Sequence, residues 1–264
     1  MVKDLLAALA VVVNGIPQGL LALMYGFAAL PTALAFLAGV GGSLYFNSVA
    51  TISFQAETIA LAGNLGKDIR ERLSMVFWGA VFLLIPSLLG LNEAIVSWIG
   101  PAIVDSMMAG VGLMLANVSV DMLKSEKYSG SLSVAVALAV WFWTRDLAWT
   151  IIVSVTAATL LYNYLLRVRR MELDRLSADV SNEKFRFGNI EWRFWRSRRV
   201  FSGALAMACI NIGANISFGK ITGSIAQVNA NVDHLAIYSS AADIVSTLFG
   251  GSPVESIISG TATA

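Results

Sequence analysis

The sequence predicts an all-α polytopic membrane protein. Of its 264 residues, 57% are hydrophobic and 13% are charged, whereas a typical soluble domain carries about 25% charged residues. The mean hydropathy is +0.72. Several apolar runs approach the roughly 20 residues that an α-helix needs to cross a bilayer. The near-neutral formal charge of +1 points to no particular partner.

The composition leaves little material for an enzyme active site. One histidine and one cysteine, His234 and Cys209, are too few for a zinc site or for a nucleophile–histidine pair, and no phosphate-binding loop is present. We therefore expect no catalytic residues, no metal and no cofactor. Residues 1–4 lead into an apolar run without a cleavage site, which predicts a first spanning helix rather than a signal peptide.

The first two apolar runs predict helices at residues 5–25 and 29–46. Gly15-Ile-Pro-Gln-Gly19 interrupts the first run and carries Gln18. This break is either a proline kink without a ligand or part of a binding wall. The glycines of Gly39-Val-Gly-Gly42 predict close helix packing in lipid.

Residues 50–63 are too short for a full span and carry Gln55 and Glu57. A short apolar segment with a carboxylate predicts a half-helix that faces a cavity. The alternative is that Glu57 lies near the membrane interface, where water, Lys67 or Arg70 satisfies it.

Later apolar runs predict helices at 73–90, 101–122, 129–143 and 147–166, with an amphipathic connector at 91–98. The long polar segment 167–200 holds ten Lys/Arg and five Asp/Glu with interleaved aromatic residues. Next to a spanning helix, this composition indicates a segment that lies along a membrane surface and does not bind nucleic acid.

The end of the chain combines apolar residues with polar interruptions. A helix beginning at 201–219 turns polar and includes Ser217, Lys220 and Thr222, and a further helix is predicted at 235–249. The following stretch, through residue 264, is broken by two glycines and a proline and carries Glu255. A bilayer tolerates such breaks and charges only where protein or water satisfies them, so this stretch is predicted to form half of a binding site.

Two blocks of this sequence resemble the nucleobase–cation symporter-2 (xanthine/uracil permease) family, nearest its hypoxanthine/adenine/guanine permease branch. The first block is similar to the family's helices 4 and 5 and includes Phe82-Leu-Leu-Ile-Pro-Ser-Leu-Leu-Gly90 and Met108-Ala-Gly-Val-Gly-Leu-Met-Leu-Ala116. The second is similar to its helices 8 and 10 and comprises Gly219-Lys-Ile-Thr-Gly-Ser-Ile225 and Asp243–Ala264.

The resemblance implies two inverted repeats of seven helices, with substrate bound between half-helices 3 and 10 near the bilayer midplane. Residues 1–166 would then be the first repeat, 167–200 the connector, and 201–264 the start of the second repeat, helices 8–10. The chain would end inside the half-helix at 250–264. This implies a C-terminally truncated transporter or a half-transporter that completes itself by pairing.

The same resemblance assigns the site residues. The acidic ligands of the family fall on Lys220 and Ser259, so both expected carboxylates are absent, and Glu255 lies four residues before Ser259. We expect Lys220, Glu255 and Ser259 to be the central polar groups, with Lys220 and Glu255 as a buried ion pair. The other expected substrate-binding residues are Gln18, Gln55, Glu57, Ser217 and Thr222.

A second resemblance keeps another cargo open. Phe249–Ala262 is also similar to helix 10 of the sulfate permease family, and Ile16-Pro-Gln-Gly19 to its helix 1. These proteins share the architecture and move anions. The basic residue that is usual in their helix 10 falls on Gly260 here.

The predicted function is that of a secondary active permease of the nucleobase or purine symporter type, working by alternating access. The alternatives are an anion transporter and a non-transporting fragment. Proton or sodium is the expected coupling ion. The expected partners are the lipid bilayer and a small-molecule substrate, with a homodimer left open. The expected location is the inner (plasma) membrane, as a multi-pass protein.

The orientation in the membrane has two opposed predictions. The resemblance implies a cytoplasmic N-terminus, and seven helices then place residues 167–200 outside. The loops at 65–72, 124–127 and 167–200 carry nearly all loop Lys/Arg, and the positive-inside rule makes their side cytoplasmic.

Overall fold

The computed structural model describes residues 2–100, 126–167, 185–228 and 230–257, with scattered positions between 102 and 124. The described helices of the first half are α1 (Val2–Met24), α2 (Ala29–Tyr45), α3 (Ala56–Leu65), α4 (Ile69–Leu88) and α5 (Asn92–Ile99). Further along lie α6 (Lys127–Thr144), α7 (Leu147–Arg167), α8 (Arg198–Ala226) and α9 (Val232–Leu248). The positions described between 102 and 124 are helical.

Two short strands, β1 (Thr51–Phe54) and β2 (Val254–Ile257), pair in an antiparallel ribbon. Among the described residues, three helical stretches are long and apolar enough to cross a membrane: Ile69–Leu88, Trp149–Arg167 and Arg198–Ala226. Shorter apolar stretches occupy Val11–Met24 and Ala29–Tyr45. The helices therefore follow the apolar runs of the sequence closely.

A strand occupies part of each predicted half-helix. In the half-helix expected at 50–63, Thr51–Phe54 is a strand and the short helix α3 follows from Ala56. In the half-helix expected at 250–264, Val254–Ile257 is a strand, and residues 258–264 lie outside the described residues. β-branched and aromatic residues favour strands, and pairing lets each strand satisfy the other's backbone groups without water.

Close helix packing builds the core behind the ribbon. α4 packs along α8 and α9. A Cβ added at Gly79 of α4 would lie 3.0 Å from Met207 Cβ, and one at Gly203 of α8 would lie 2.6 Å from Met75 Sδ. Both glycines therefore allow backbones to approach closely. Met75 and Met207 belong to a fully buried apolar cluster with Ile59 and Leu73.

The α6–α7 hairpin packs against α1. Its turn is made by Arg145, which adopts the left-handed conformation with φ 53° and caps α6 by donating its N–H to Trp141 O at 2.9 Å. A left-handed residue at this position is a common helix ending. The hairpin therefore lies beside the core, whereas the β1–β2 ribbon lies inside the core.

Residues 185–197, the described end of the basic connector, are tied to the core by hydrogen bonds. Arg186 N and Gly188 N donate to the carbonyls of Phe249 and Leu248 at 3.0 and 3.1 Å. Trp78 Nε1 donates to Glu191 O at 3.0 Å. This part of the connector is thus fixed against both α4 and the end of α9.

Candidate functional site

The ribbon sets the geometry of the candidate site. Ser53 lies opposite Glu255, and Phe54 lies opposite Val254. β1 runs directly into Gln55 and the first turn of α3. The ribbon therefore brings two segments that are distant in the chain to one place inside the helical bundle.

The turn before β2 is fixed by glycines and by the start of α2. Gly250 has φ 96°, a conformation that side chains disfavour. Ala28 N donates to Gly250 O, and Ser252 N donates to Thr32 Oγ1, both at 2.9 Å. A Cβ at Gly251 would lie 2.7 Å from Thr32 N. Only glycine fits this close approach, which aims β2 at the centre of the bundle.

Glu255 is the fully buried acid of β2, with 0% of its surface exposed. Asn211 Nδ2 on α8 donates to Glu255 Oε1 at 2.7 Å. Ser239 of α9 and Asn215 of α8 also face this carboxyl group. Its other oxygen, Oε2, has no hydrogen-bond partner among the described residues. Glu255 therefore keeps an acceptor atom for a further partner.

Asn211 and Asn215 lie one turn apart on α8 and both face β2. Ser256 Oγ donates to Asn215 Oδ1 at 2.6 Å. Each asparagine keeps one unused amide atom, Oδ1 of Asn211 and Nδ2 of Asn215. α8 thus supplies both a donor and an acceptor beside the carboxyl group of Glu255.

Asp243 is a second fully buried acid, located on α9. Its Oδ1 accepts a 2.6 Å hydrogen bond from Val254 N, the residue before Glu255, and its Oδ2 has no partner in the described chain. The two acids lie close enough for their charges to interact. Asp243 therefore both holds the start of β2 and adds potential negative charge to the site.

The first turn of α3 closes the other side. Gln55 precedes the helix and is buried, and its Oε1 accepts a hydrogen bond from Thr58 Oγ1. Glu57 is 7% exposed and lies close enough to Glu255 for their charges to interact. The N-terminal end of a helix carries a positive partial charge, which favours acids or anions there.

The structure therefore brings together some of the residues predicted from sequence. Glu255, Gln55 and Glu57 converge at the ribbon. The remaining residues are spread over two helices: buried Thr222 and half-buried Ser217 on α8, and half-buried Gln18 on α1. The hydroxyl of Thr222 and the Oε1 of Gln18 have no partner in the described residues.

The predicted Lys220–Glu255 ion pair stays a prediction; among the described side chains, Asn211 donates a hydrogen bond to Glu255. Lys220 lies on α8 nine residues beyond Asn211, which places its backbone about 13 Å further along the helix axis. Its side chain lies outside the described residues, as does Ser259.

Sequence reasoning missed Asn211, Asn215 and Asp243 as site residues. The spacing of the two asparagines could have predicted their position, because polar residues four apart in an apolar helix lie on one face. Asp243 is the first residue of the block Asp243–Ala264 that carries the family resemblance. Only the three-dimensional fold shows that its carboxyl group accepts a hydrogen bond from Val254 N.

Unused hydrogen-bonding capacity is concentrated at this site. Buried polar atoms are nearly always paired, so each unpaired one needs an explanation. On the ribbon and on the residues beside it, the unpaired atoms in the described chain are Thr51 Oγ1, Gln55 Nε2, Asn211 Oδ1, Asn215 Nδ2, Asp243 Oδ2 and Glu255 Oε2. They offer donors as well as acceptors, as expected of a site for a polar ligand.

A separate groove of about 780 Å³ lies between α1 and α2, against the strand β1. Its lining is mainly apolar and includes Gly15, Gly19, Phe36 and Gly39. It therefore differs in chemistry from the polar site around Glu255. Within the described part of the chain, no group of at least three His, Cys, Asp or Glu side chains could hold a metal ion.

Comparison with known proteins identifies the fold. No protein-family model and no curated protein sequence matches the chain. Among solved structures, it is similar to the transmembrane domain of a cyanobacterium bicarbonate transporter, BicA, with a TM-score of 0.66 and 14% identity over 99% of this chain and 76% of that one. The chain is therefore an all-α polytopic membrane protein, and the predicted fold class is confirmed.

Proposed function

We propose that the protein is a secondary membrane transporter that binds its cargo beside the β1–β2 ribbon. The observation that carries this proposal is the set of buried, unpaired polar atoms around Glu255 and Asn211. Polar groups inside a membrane protein are costly and usually mark a substrate or ion path. Non-helical backbone at membrane depth is tolerated where it lines such a cavity.

The arrangement suits alternating access. Substrates of repeat-built transporters bind near the midplane, beside interrupted helices. Here β1 precedes α3, and the ribbon holds the N-terminal end of α3 near Glu255. We place the protein in the inner (plasma) membrane, with proton or sodium as coupling ion.

A small anion is the first candidate cargo, because the structurally similar BicA domain belongs to a bicarbonate transporter. This favours the anion alternative over the nucleobase permease. The described residues at the ribbon contribute Glu57, Asp243 and Glu255, which repel an anion when ionised. An anion would therefore enter together with a proton or another cation, as in symport.

A nucleobase is the second candidate, and the mixture of unpaired donors and acceptors favours it. Glu255 Oε2 can accept a ring N–H, and the amide nitrogens of Gln55 and Asn215 can donate to a ring carbonyl. Such a ligand carries no charge that the acids would repel. The two candidates thus differ in charge, which an uptake experiment can resolve.

The test is uptake into proteoliposomes that contain the purified chain, with labelled bicarbonate, sulfate and hypoxanthine compared under imposed proton and sodium gradients. We expect gradient-driven uptake of one cargo class. Glu255→Gln should reduce it at least tenfold, whereas Glu93→Gln, which alters an exposed acid on α5, should leave it unchanged. Absence of uptake of all three solutes, or full uptake by Glu255→Gln, would contradict the proposal.

A further inference from the structure

A basic cleft lies at the start of α8, away from the ribbon. It has a volume of about 540 Å³ and is lined by Arg70, Glu191, Trp192, Arg193, Arg196 and Ser197. The proposed transport function does not use any of these residues. The cleft combines arginines with an aromatic ring, so its lining differs in chemistry from the apolar groove between α1 and α2 and from the carboxyl-rich site at the ribbon.

The local backbone aims two of the arginines in one direction. Phe194–Arg196 forms a 3₁₀ turn that begins at Arg193. Side chains three residues apart are eclipsed in a 3₁₀ helix. Arg193 and Arg196 therefore project from the same side of the turn, and both line the cleft.

The segment that forms the cleft is held against α4 by several contacts. Glu191 N donates to Ser74 Oγ at 2.7 Å, and the Phe194 ring packs on Trp78 with centroids 4.3 Å apart. Arg70 at the start of α4 forms an ion pair with Glu191 at 3.0 Å. The guanidinium groups are thus presented by a segment that is held against α4, so little backbone entropy is lost when a ligand binds.

The charge of the cleft is strongly positive. Arg70 neutralises Glu191, whereas Arg193 and Arg196 are exposed and form no ion pair with any described residue. The cleft therefore has a surplus of two positive charges. Guanidinium groups bind phosphate oxygens through paired N–H donors, which makes phosphate a well-matched ligand.

The surroundings place this charge at the membrane interface. Trp192 and Trp195 are 53% and 65% exposed. Exposed tryptophan is enriched at the depth of lipid headgroups. From Arg198 onward the chain enters α8, which is long and apolar enough to cross the membrane. Both features are typical of a segment at the level of lipid phosphates.

We propose that this cleft binds the phosphate headgroup of an anionic phospholipid. Arg193 and Arg196 bind the phosphate, and Arg70 adds a third guanidinium at the base of the cleft. Trp192 and Trp195 lie beside the lipid at the interface. The site rests on the membrane location of the chain and is independent of the cargo that the transporter carries.

The test is lipid binding by the purified full chain in a neutral detergent, measured by native mass spectrometry and by thermal unfolding. Phosphatidylglycerol should bind and raise the unfolding temperature, whereas phosphatidylcholine and inorganic phosphate should have little effect. The double variant Arg193→Gln/Arg196→Gln should bind phosphatidylglycerol roughly 10- to 30-fold more weakly, because each basic residue near a membrane surface contributes about 1 kcal/mol.

The matched control is Arg198→Gln, which removes an exposed arginine from the same segment outside the cleft. It should bind within about twofold of the unmodified chain, because Arg198 does not line the cleft. If Arg198→Gln weakened binding as much as the double variant, the lipid would be bound by the overall positive charge of the surface and not by the cleft, which would contradict the proposal. Equal stabilisation by inorganic phosphate would assign the cleft to a free anion. Unchanged binding by the double variant would overturn the proposal. The single variants, each expected to weaken binding partially, provide the test if the double variant does not fold.

Discussion

Asn211 on α8 donates a 2.7 Å hydrogen bond to Glu255 on β2 within a fully buried setting. This contact fixes one carboxyl oxygen and leaves the other unpaired. It also joins the long apolar α8 to the ribbon. The geometry of the candidate site therefore depends in part on an uncharged residue that the sequence resemblance did not indicate.

Asn211→Leu should impair both folding and uptake. The change leaves the Glu255 carboxyl group buried without its donor, which costs about 1–3 kcal/mol for a buried polar group and more for a charged one. We expect a lower unfolding temperature and at least a tenfold loss of uptake. Asn163→Leu, at an exposed position of α7, is the control. Equal behaviour of the two variants would show that the contact has no special role.

Gly251→Ala should prevent correct packing of the turn before β2. Its methyl group would lie 2.7 Å from Thr32 N and 2.9 Å from the carbonyl carbon of Pro31, both backbone atoms that cannot rotate away. Overpacking of this kind typically costs about 1–3 kcal/mol. Gly41→Ala has no atom within 4 Å of the added methyl and serves as the control. Size-exclusion profiles and thermal unfolding report the difference, and a normal profile for Gly251→Ala would contradict the predicted clash.

The register of the ribbon can be tested by disulfide formation in a Cys209→Ala background. Cysteines at Ile52 and Ser256 occupy directly opposite positions, where Cα atoms lie about 4.5–5.5 Å apart and can be bridged. Cysteines at Phe54 and Ser256 are diagonal, about 7–8 Å apart, which is too far without backbone movement. Mild oxidation followed by protease digestion should therefore cross-link only the first pair. Cross-linking of the diagonal pair alone would indicate a shifted register.

Asp243→Asn and Asp243→Leu should separate two roles of this acid. Asparagine keeps an oxygen that can accept the Val254 N–H, so we expect folding to be retained. Leucine removes the acceptor and leaves that N–H buried and unpaired, at a cost of about 1–3 kcal/mol. Thermal unfolding measures this contrast. If uptake fails in the folded asparagine variant, the acid is needed for transport; equal stability of the two variants would remove its structural role.

The helices were predictable from the sequence because apolar length is a strong signal in a membrane protein. The runs at 29–46 and 129–143 correspond closely to α2 and α6. The break at Gly250, Gly251 and Pro253 also lies where the structure has the turn before β2. These features depend on local composition, which a single sequence displays directly.

The ribbon and the partners of its acids were not predictable in the same way. Four residues such as Thr51–Phe54 are too few to distinguish a strand from a short helix. The contacts of Glu255 with Asn211 and of Asp243 with Val254 depend on how helices cross in space. The contact predicted for Lys220, whose side chain lies outside the described residues, stays a prediction. Residue type and helix assignment therefore located the region and could not select the contacts.

The ribbon also constrains the order in which the protein is made. Ser53 and Glu255 are about 200 residues apart, yet they pair directly. At roughly 5–20 residues per second, a ribosome takes about 10–40 s to add the intervening chain. Throughout that interval β1 has no strand partner, and hydrocarbon cannot satisfy its backbone groups. Final burial of β1 must therefore wait for β2, so the centre of this protein is completed only after its early helices have been synthesised.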